Sequence, residues 1–173
     1  VARSMLLHED AGNFVLGVAG LATRSGLPTR LYAYDVSPEL AGIIAPIGDL
    51  WAEVASGDTV LFSWSMEDEF LPQVAGLACH KILYFHNIPS GEWFREYDPA
   101  YAALLDHSRR QFALFGAFAS VLADSKPSLE EIAPHLGYGT PSAVRAPCMD
   151  PLRLARLEPE AVHLPEASSV WLW

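Results

Sequence analysis

The sequence predicts an α/β domain, doubly wound, with a mainly parallel sheet. Three observations carry this. Short unbroken apolar runs such as Val60-Leu61-Phe62 and Ile82-Leu83-Tyr84-Phe85 suit parallel strands covered on both faces. These runs alternate with segments of helical periodicity, the order that builds β-α-β units. Each run also gives way to small or polar residues, as strand ends do in open parallel sheets.

Residues 3–7 form the first strand and end in a polar turn, His8-Glu9-Asp10-Ala11-Gly12-Asn13. Phe14, Val15, Val18, Leu21 and Ala22 then recur at helical spacing until Gly26 and Pro28 stop the helix. Residues 29–34 are β-rich and close at Asp35, completing one β-α-β unit of about 35 residues. With Pro38 and Pro46, residues 37–47 read as a connecting loop with at most a helical turn.

Residues 58–65 are the next strand, and residues 69–78 a helix with Pro72 in its first turn. Another strand, residues 81–85, runs into His86-Asn87-Ile88-Pro89. Tyr101, Leu104, Leu105, Ser108, Phe112 and Phe115 mark one face of a single long helix. Residues 120–123 form a strand that closes at Asp124-Ser125, and residues 127–135 a short helix opened by Ser125 or Ser128. After Gly137 and Gly139, residues 143–147 make a last strand. Residues 1–149 then read as the domain, the Pro-rich and charged residues 150–168 as a linker, and residues 169–173 as the first strand of a further domain or, alternatively, a C-terminal edge strand of this one.

The chain has 173 residues, 51% hydrophobic and 18% charged, enough apolar content for a buried core. Its net charge of −10 offers no basic stripe for nucleic acid and disfavours capture by anionic lipid. The start, Val1-Ala2-Arg3-Ser4, lacks a signal peptide's apolar stretch and reads as a strand entered almost without a leader. Cys79 and Cys148 have no CxxC spacing and read as reduced thiols of a cytoplasmic protein.

Ligands of open parallel sheets bind outside the carboxyl ends of the strands. That rule selects residues 8–13, Asp35, residues 63–65, residues 86–88 and Asp124-Ser125. The turn before the first helix is not a dinucleotide or P-loop motif, and its carboxylates Glu9 and Asp10 would repel a pyrophosphate. Sugar hydroxyls suit it better. His86 with Asn87 beside it can hydrogen-bond a substrate hydroxyl or stabilise developing charge, or it can be a satisfied structural histidine. Ser63, Ser65 and Ser125 show no base partner, so a hydrolase triad has little support. The remaining histidines form no metal-binding pair, and no metal site is expected. Trp93, Phe94, Tyr97 and Tyr101 either stack on sugar rings or fill the core.

Four segments carry a family resemblance. They are residues 8–16, residues 58–65, the stretch Lys81-Ile82-Leu83-Tyr84-Phe85-His86-Asn87-Ile88-Pro89 with Phe94 and Tyr97 after it, and Val121-Leu122-Ala123-Asp124-Ser125. Their order resembles the N-terminal, acceptor-side domain of a retaining glycosyltransferase of GT-B architecture, glycosyltransferase family 4, also called group 1. The first loop lacks the double glycine common in the wider family.

The resemblance implies a Rossmann-like half of an enzyme that transfers a hexose from a nucleotide diphosphate sugar to a hydroxyl acceptor with retention. It makes His86 the catalytic residue, reaching the donor sugar in support of the transition state. Asp10, Gly12, Asn13, Ser63 and Asn87 become acceptor-binding residues, and Asp124 and Ser125 line the cleft. It implies no cofactor beyond the donor substrate and no metal. The nucleotide-sugar would be held chiefly by a C-terminal domain opened by Val170-Trp171-Leu172-Trp173, so the chain alone is expected to be inactive. The acceptor would be a sugar, a polysaccharide or a lipid-linked glycan, met in the cytoplasm or at the inner face of the membrane. An exposed apolar C-terminus would offer a homo-oligomer contact. A sugar-nucleotide 2-epimerase half and a non-enzymatic α/β binding module are the alternatives.

Overall fold

The computed structural model describes residues 1–6 and 10–147. The elements run β1 (Ala2–Met5), α1 (Asp10–Arg24), β2 (Leu31–Val36), β3 (Ile44–Pro46), α2 (Ile47–Glu53), β4 (Thr59–Trp64), α3 (Leu71–Ala75) and β5 (His80–Phe85). A 3-10 turn at Gly91–Phe94 leads into α4 (Pro99–Arg110), which passes into a 3-10 segment, Gln111–Ala117. β6 (Ser120–Ala123), α5 (Lys126–Ile132) and β7 (Ser142–Val144) follow.

Among the described residues the strands form one seven-stranded sheet in the order β3-β2-β1-β4-β5-β6-β7. Every pairing is parallel, and helices flank the sheet, so the fold is Rossmann-like and doubly wound. Strand order reverses between β1 and β4, where the chain leaves β1 toward one edge and β4 toward the other.

Side chains alternate across the strands and divide the core in two. Phe62 and Trp64 of β4, Leu83 and Phe85 of β5, and Val121 and Ala123 of β6 pack with Leu105, Phe112, Phe115, Leu71 and Ile132 on one face. Trp64, Phe85, Phe112 and Phe115 meet there with ring centroids 5.1–5.9 Å apart. On the other face Ala2, Met5, Ala33 and Tyr84 pack against Phe14 and Val15 of α1. No helix among the described residues is long and apolar enough to cross a membrane.

Two expectations need correction. The segment read as a loop, residues 37–47, holds β3, and α2 starts at its last residue. β3 is a three-residue edge strand whose period is too short to read, and Pro46 is tolerated there because an edge strand has one unpaired side. The single helix expected through Phe115 ends at Arg110. Beyond it Phe112 and Phe115 stand three residues apart, a spacing that a 3-10 segment stacks on one face as well as an α-helix does. The proposed linker 150–168, the strand 169–173 and Cys148 lie outside the described residues.

Candidate functional site

Register brings the site together. Ser63 pairs with Tyr84, Trp64 with Phe85, and Phe85 with Ala123, so β4, β5 and β6 end level with one another. Ser63, His86 and Asp124 alternate with the residues of the large aromatic face, which puts all three on the α1 side. There the Ser63 hydroxyl meets His86 Nε2 at 2.9 Å. The imidazole lies edge-on to Tyr84 and Phe14, with centroids 4.7 and 5.4 Å away, and Phe14 stacks on Tyr84 at 3.8 Å. His86 is partly buried, and its backbone N–H continues the ladder to the Trp64 carbonyl at 2.9 Å.

Sequence reading gave Ser63 no base partner; the structure supplies His86. The pair is still no nucleophile elbow. Ser63 is 5% exposed and lies inside β4, where elbow serines sit on a sharp strand-to-helix turn open to substrate. Its hydroxyl orients the imidazole, and Ser63 also lines the hollow at the carboxyl ends of β1 and β4.

Asp124 follows β6 directly. Its Oδ2 accepts the Asn87 backbone N–H at 3.2 Å, and its own N–H reaches the Phe85 carbonyl at 3.2 Å. Burial pushes its carboxyl up, but the nearby Ser128 and Ser125 hydroxyls, the Asn87 N–H and the His86 ring together hold it below its ordinary value. Its Oδ1 is buried without a direct hydrogen bond. Ser125 is the N-cap of α5: its Oγ accepts the Ser128 N–H at 3.3 Å and lies 2.6 Å from Ser128 Oγ. Asn87 is exposed at the rim.

Gly12 sits in the first turn of α1, where a Cβ would stand 2.9 Å from the Leu6 carbonyl oxygen and 3.3 Å from the Met5 Cα. It is buried and lets α1 close onto the end of β1, a packing task. Asn13 is partly buried one residue on. Asp10 opens α1, and its side chain, like His8 and Glu9, lies outside what is described. The aromatic set divides: Phe94 and Tyr101 pack edge-to-face at 5.0 Å against the core, while Trp93 and Tyr97 are 70% and 85% exposed.

Sequence reading missed the residues that hold the site's walls. Arg109, near the end of α4, donates to the Ile88 and Pro89 carbonyls at 2.9 Å each and to Glu131 Oε1 at 3.0 Å. Ser108 Oγ accepts the Glu67 N–H at 2.9 Å and donates to the Leu104 carbonyl at 2.8 Å. Gln111 accepts from the Asp68 N–H and the Trp64 indole at 2.9 Å each, and donates to the Asp68 carbonyl at 2.8 Å. The available signal was Ser108 itself, a hydroxyl on an otherwise apolar helix stripe.

Two hollows bear on the position of the site. The larger, about 570 Å³, opens at the amino ends of the strands and is lined mainly by aliphatic residues such as Val15, Val18, Leu50 and Val54. The smaller, about 220 Å³, lies at the carboxyl ends of β1 and β4, where strand order reverses. Its position, not its size, makes it the relevant one, because the loops that carry polar groups are there. No group of three or more histidine, cysteine or acidic residues among the described residues could hold a metal ion. Comparison with protein-family models, curated proteins and solved structures finds no match.

Proposed function

We propose that this chain is the acceptor-side domain of a retaining hexosyltransferase of GT-B architecture. The observation that carries the reading is the convergence of Ser63, His86 and Asp124 on one side of the sheet's carboxyl edge. Three separate motifs with the family's sequence character thereby become one cluster.

In this reading the Ser63 hydroxyl and the rings of Tyr84 and Phe14 fix the imidazole of His86. The ring so fixed meets a hydroxyl of the donor sugar as positive charge develops at its anomeric carbon. A group held in place before the reaction stabilises the transition state without reorganising during it. Asp124 lies close enough to interact electrostatically with the imidazole. The nucleotide-sugar is bound mainly by a second domain, and closure of the two excludes water.

The test uses the gene product as the cell makes it, a radiolabelled nucleotide diphosphate hexose and a hydroxyl acceptor. Transfer with retained anomeric configuration is expected, and His86→Ala should lower kcat by about 10²-fold. Turnover of the nucleotide-sugar without acceptor would replace the reading with an epimerase. Transfer unaffected by His86→Ala would remove His86 from the reaction.

A further inference from the structure

Trp93 and Tyr97 stand on the segment that carries the chain from β5 into α4, and they are 70% and 85% exposed. A single exposed ring on a loose loop is ordinary. Here the backbone beneath the rings is fastened to α4 along its length. Arg109 holds the Ile88 and Pro89 carbonyls. Gly91 is buried so close to α4 that a Cβ there would stand 2.6 Å from the Ala102 carbonyl oxygen and 2.5 Å from Asp106 Oδ1. Phe94 packs edge-to-face on Tyr101, Arg95 Nη2 donates to Asp106 Oδ2 at 3.0 Å, and Asp98 Oδ1 accepts the Tyr101 N–H at 2.9 Å.

These contacts run backward along α4, so the segment lies antiparallel to the helix. Gly91 and Phe94 turn toward it, and Trp93 and Tyr97 turn to water. The rings are therefore presented on a support that is ordered before any ligand arrives, which lowers the entropy lost in using them.

The groups beside each ring select the ligand. Glu92 precedes Trp93 and Glu96 precedes Tyr97, and both acids are exposed. Residues 92–98 carry Glu92, Glu96 and Asp98 against Arg95, which is paired with Asp106. This segment and the net charge of −10 repel an anionic lipid surface. A dry protein interface would bury the carboxylates at a cost. An organic cation is held best by rings that enclose it, and these two lie open. A neutral sugar suits the surface: its C–H face lies on an aromatic ring while its hydroxyls donate to the carboxylate alongside.

We propose that Trp93 and Tyr97 form a platform for a neutral glycan chain, stacking on sugar rings beyond the unit that reacts. The proposal rests on the transferase reading, in which the glycan belongs to the acceptor. The segment leaves β5 directly after His86, at the same edge of the sheet as Ser63 and Asp124.

The experiment is a titration of the isotope-labelled 173-residue chain, followed by NMR at the tryptophan indole N–H signals. Cellotetraose, maltotetraose and mannotetraose are the probes, with choline chloride and phosphatidylcholine vesicles as comparisons. At least one tetrasaccharide should bind with Kd on the order of 1 mM and shift the indole signal that Trp93→Phe removes. Trp93→Ala and Tyr97→Ala should each weaken that binding about tenfold, and Trp93→Phe, which keeps a ring, only about twofold. Both positions are exposed, so these variants keep the fold. Tyr138→Ala, another exposed ring ahead of β7, should change nothing. No binding of any tetrasaccharide, binding indifferent to both alanine variants, or tighter binding of choline or the vesicles through these rings would each overturn the proposal. A chain that binds glycans through Trp93 and Tyr97 while its gene product transfers no hexose keeps the platform and loses the transferase reading.

Discussion

Two loops leave neighbouring strands at the same edge of the sheet, and one helix end holds both by different means. The loop after β4 is held by neutral groups: Ser108 takes the Glu67 N–H, and Gln111 takes the N–H and carbonyl of Asp68. The loop after β5 is held by a charged one: Arg109 spans the Ile88 and Pro89 carbonyls and pairs with Glu131. The first grip is buried and contains an acid that the fold desolvates. The second is about a quarter to a third exposed, with side chains 27% and 32% accessible. A buried neutral clamp is strong because its loss strands backbone groups away from water. A half-exposed charged clamp is partly replaceable by solvent.

Substituting Gln111 breaks the comparison most severely. Gln111→Leu leaves the Trp64 indole and the Asp68 N–H without these partners at a site that water reaches poorly, while the Asp68 carbonyl keeps the Leu71 N–H at 3.2 Å. At about 1–3 kcal/mol for each stranded group, a loss of about 4 kcal/mol is expected, measured by urea denaturation. A loss below about 1 kcal/mol would show that water replaces the amide.

Asp68→Asn is next, and its effect depends on pH. The folded-state value of about 6 lies above the ordinary carboxylate value, so the fold favours the protonated acid. That stability is fully present below about pH 4 and is lost as pH rises through about 6. Asparagine does not titrate, so the variant should gain on the parent between pH 4 and 7, reaching about 2–3 kcal/mol at pH 7.5. Parallel stability curves across that range would mean that Asp68 is not desolvated.

Arg109→Ala sharpens the contrast at the smaller end. The ion pair with Glu131 contributes little at this exposure, so the two bonds to backbone carbonyls carry most of a loss of about 1–2 kcal/mol. Hydrogen exchange should quicken within residues 86–90 and leave residues 65–70 protected. Equal quickening in both loops would erase the distinction.

Much of the sheet was legible because β4, β5 and β6 are long or apolar enough to show their character. β3 and the start of α2 were not, since three residues carry no period and the β3–β2 pairing is a long-range fact. Ser125 as a cap was readable from its place before Lys126-Pro127, a Pro close inside a helix start. His86 and Asp124 could be picked out as polar residues behind apolar strands. That Ser63 serves His86 could not, because their contact follows from the Ser63–Tyr84 register, which no local pattern states. In sequence, Glu67-Asp68-Glu69 has the character of a solvated helix start. Glu69 is exposed, but Asp68 is buried, with its N–H and carbonyl held by Gln111 more than forty positions away.

Ser108, Arg109 and Gln111 fall within four consecutive positions where α4 gives way to the 3-10 segment. Fraying of that single turn therefore releases both walls of the cleft in one event. The two loops thus share one route of opening, although each is held by its own bonds and contacts a different strand. A molecule that steadies either loop lowers the entropy still to be lost in ordering the other, so two ligands need never touch to favour one another's binding.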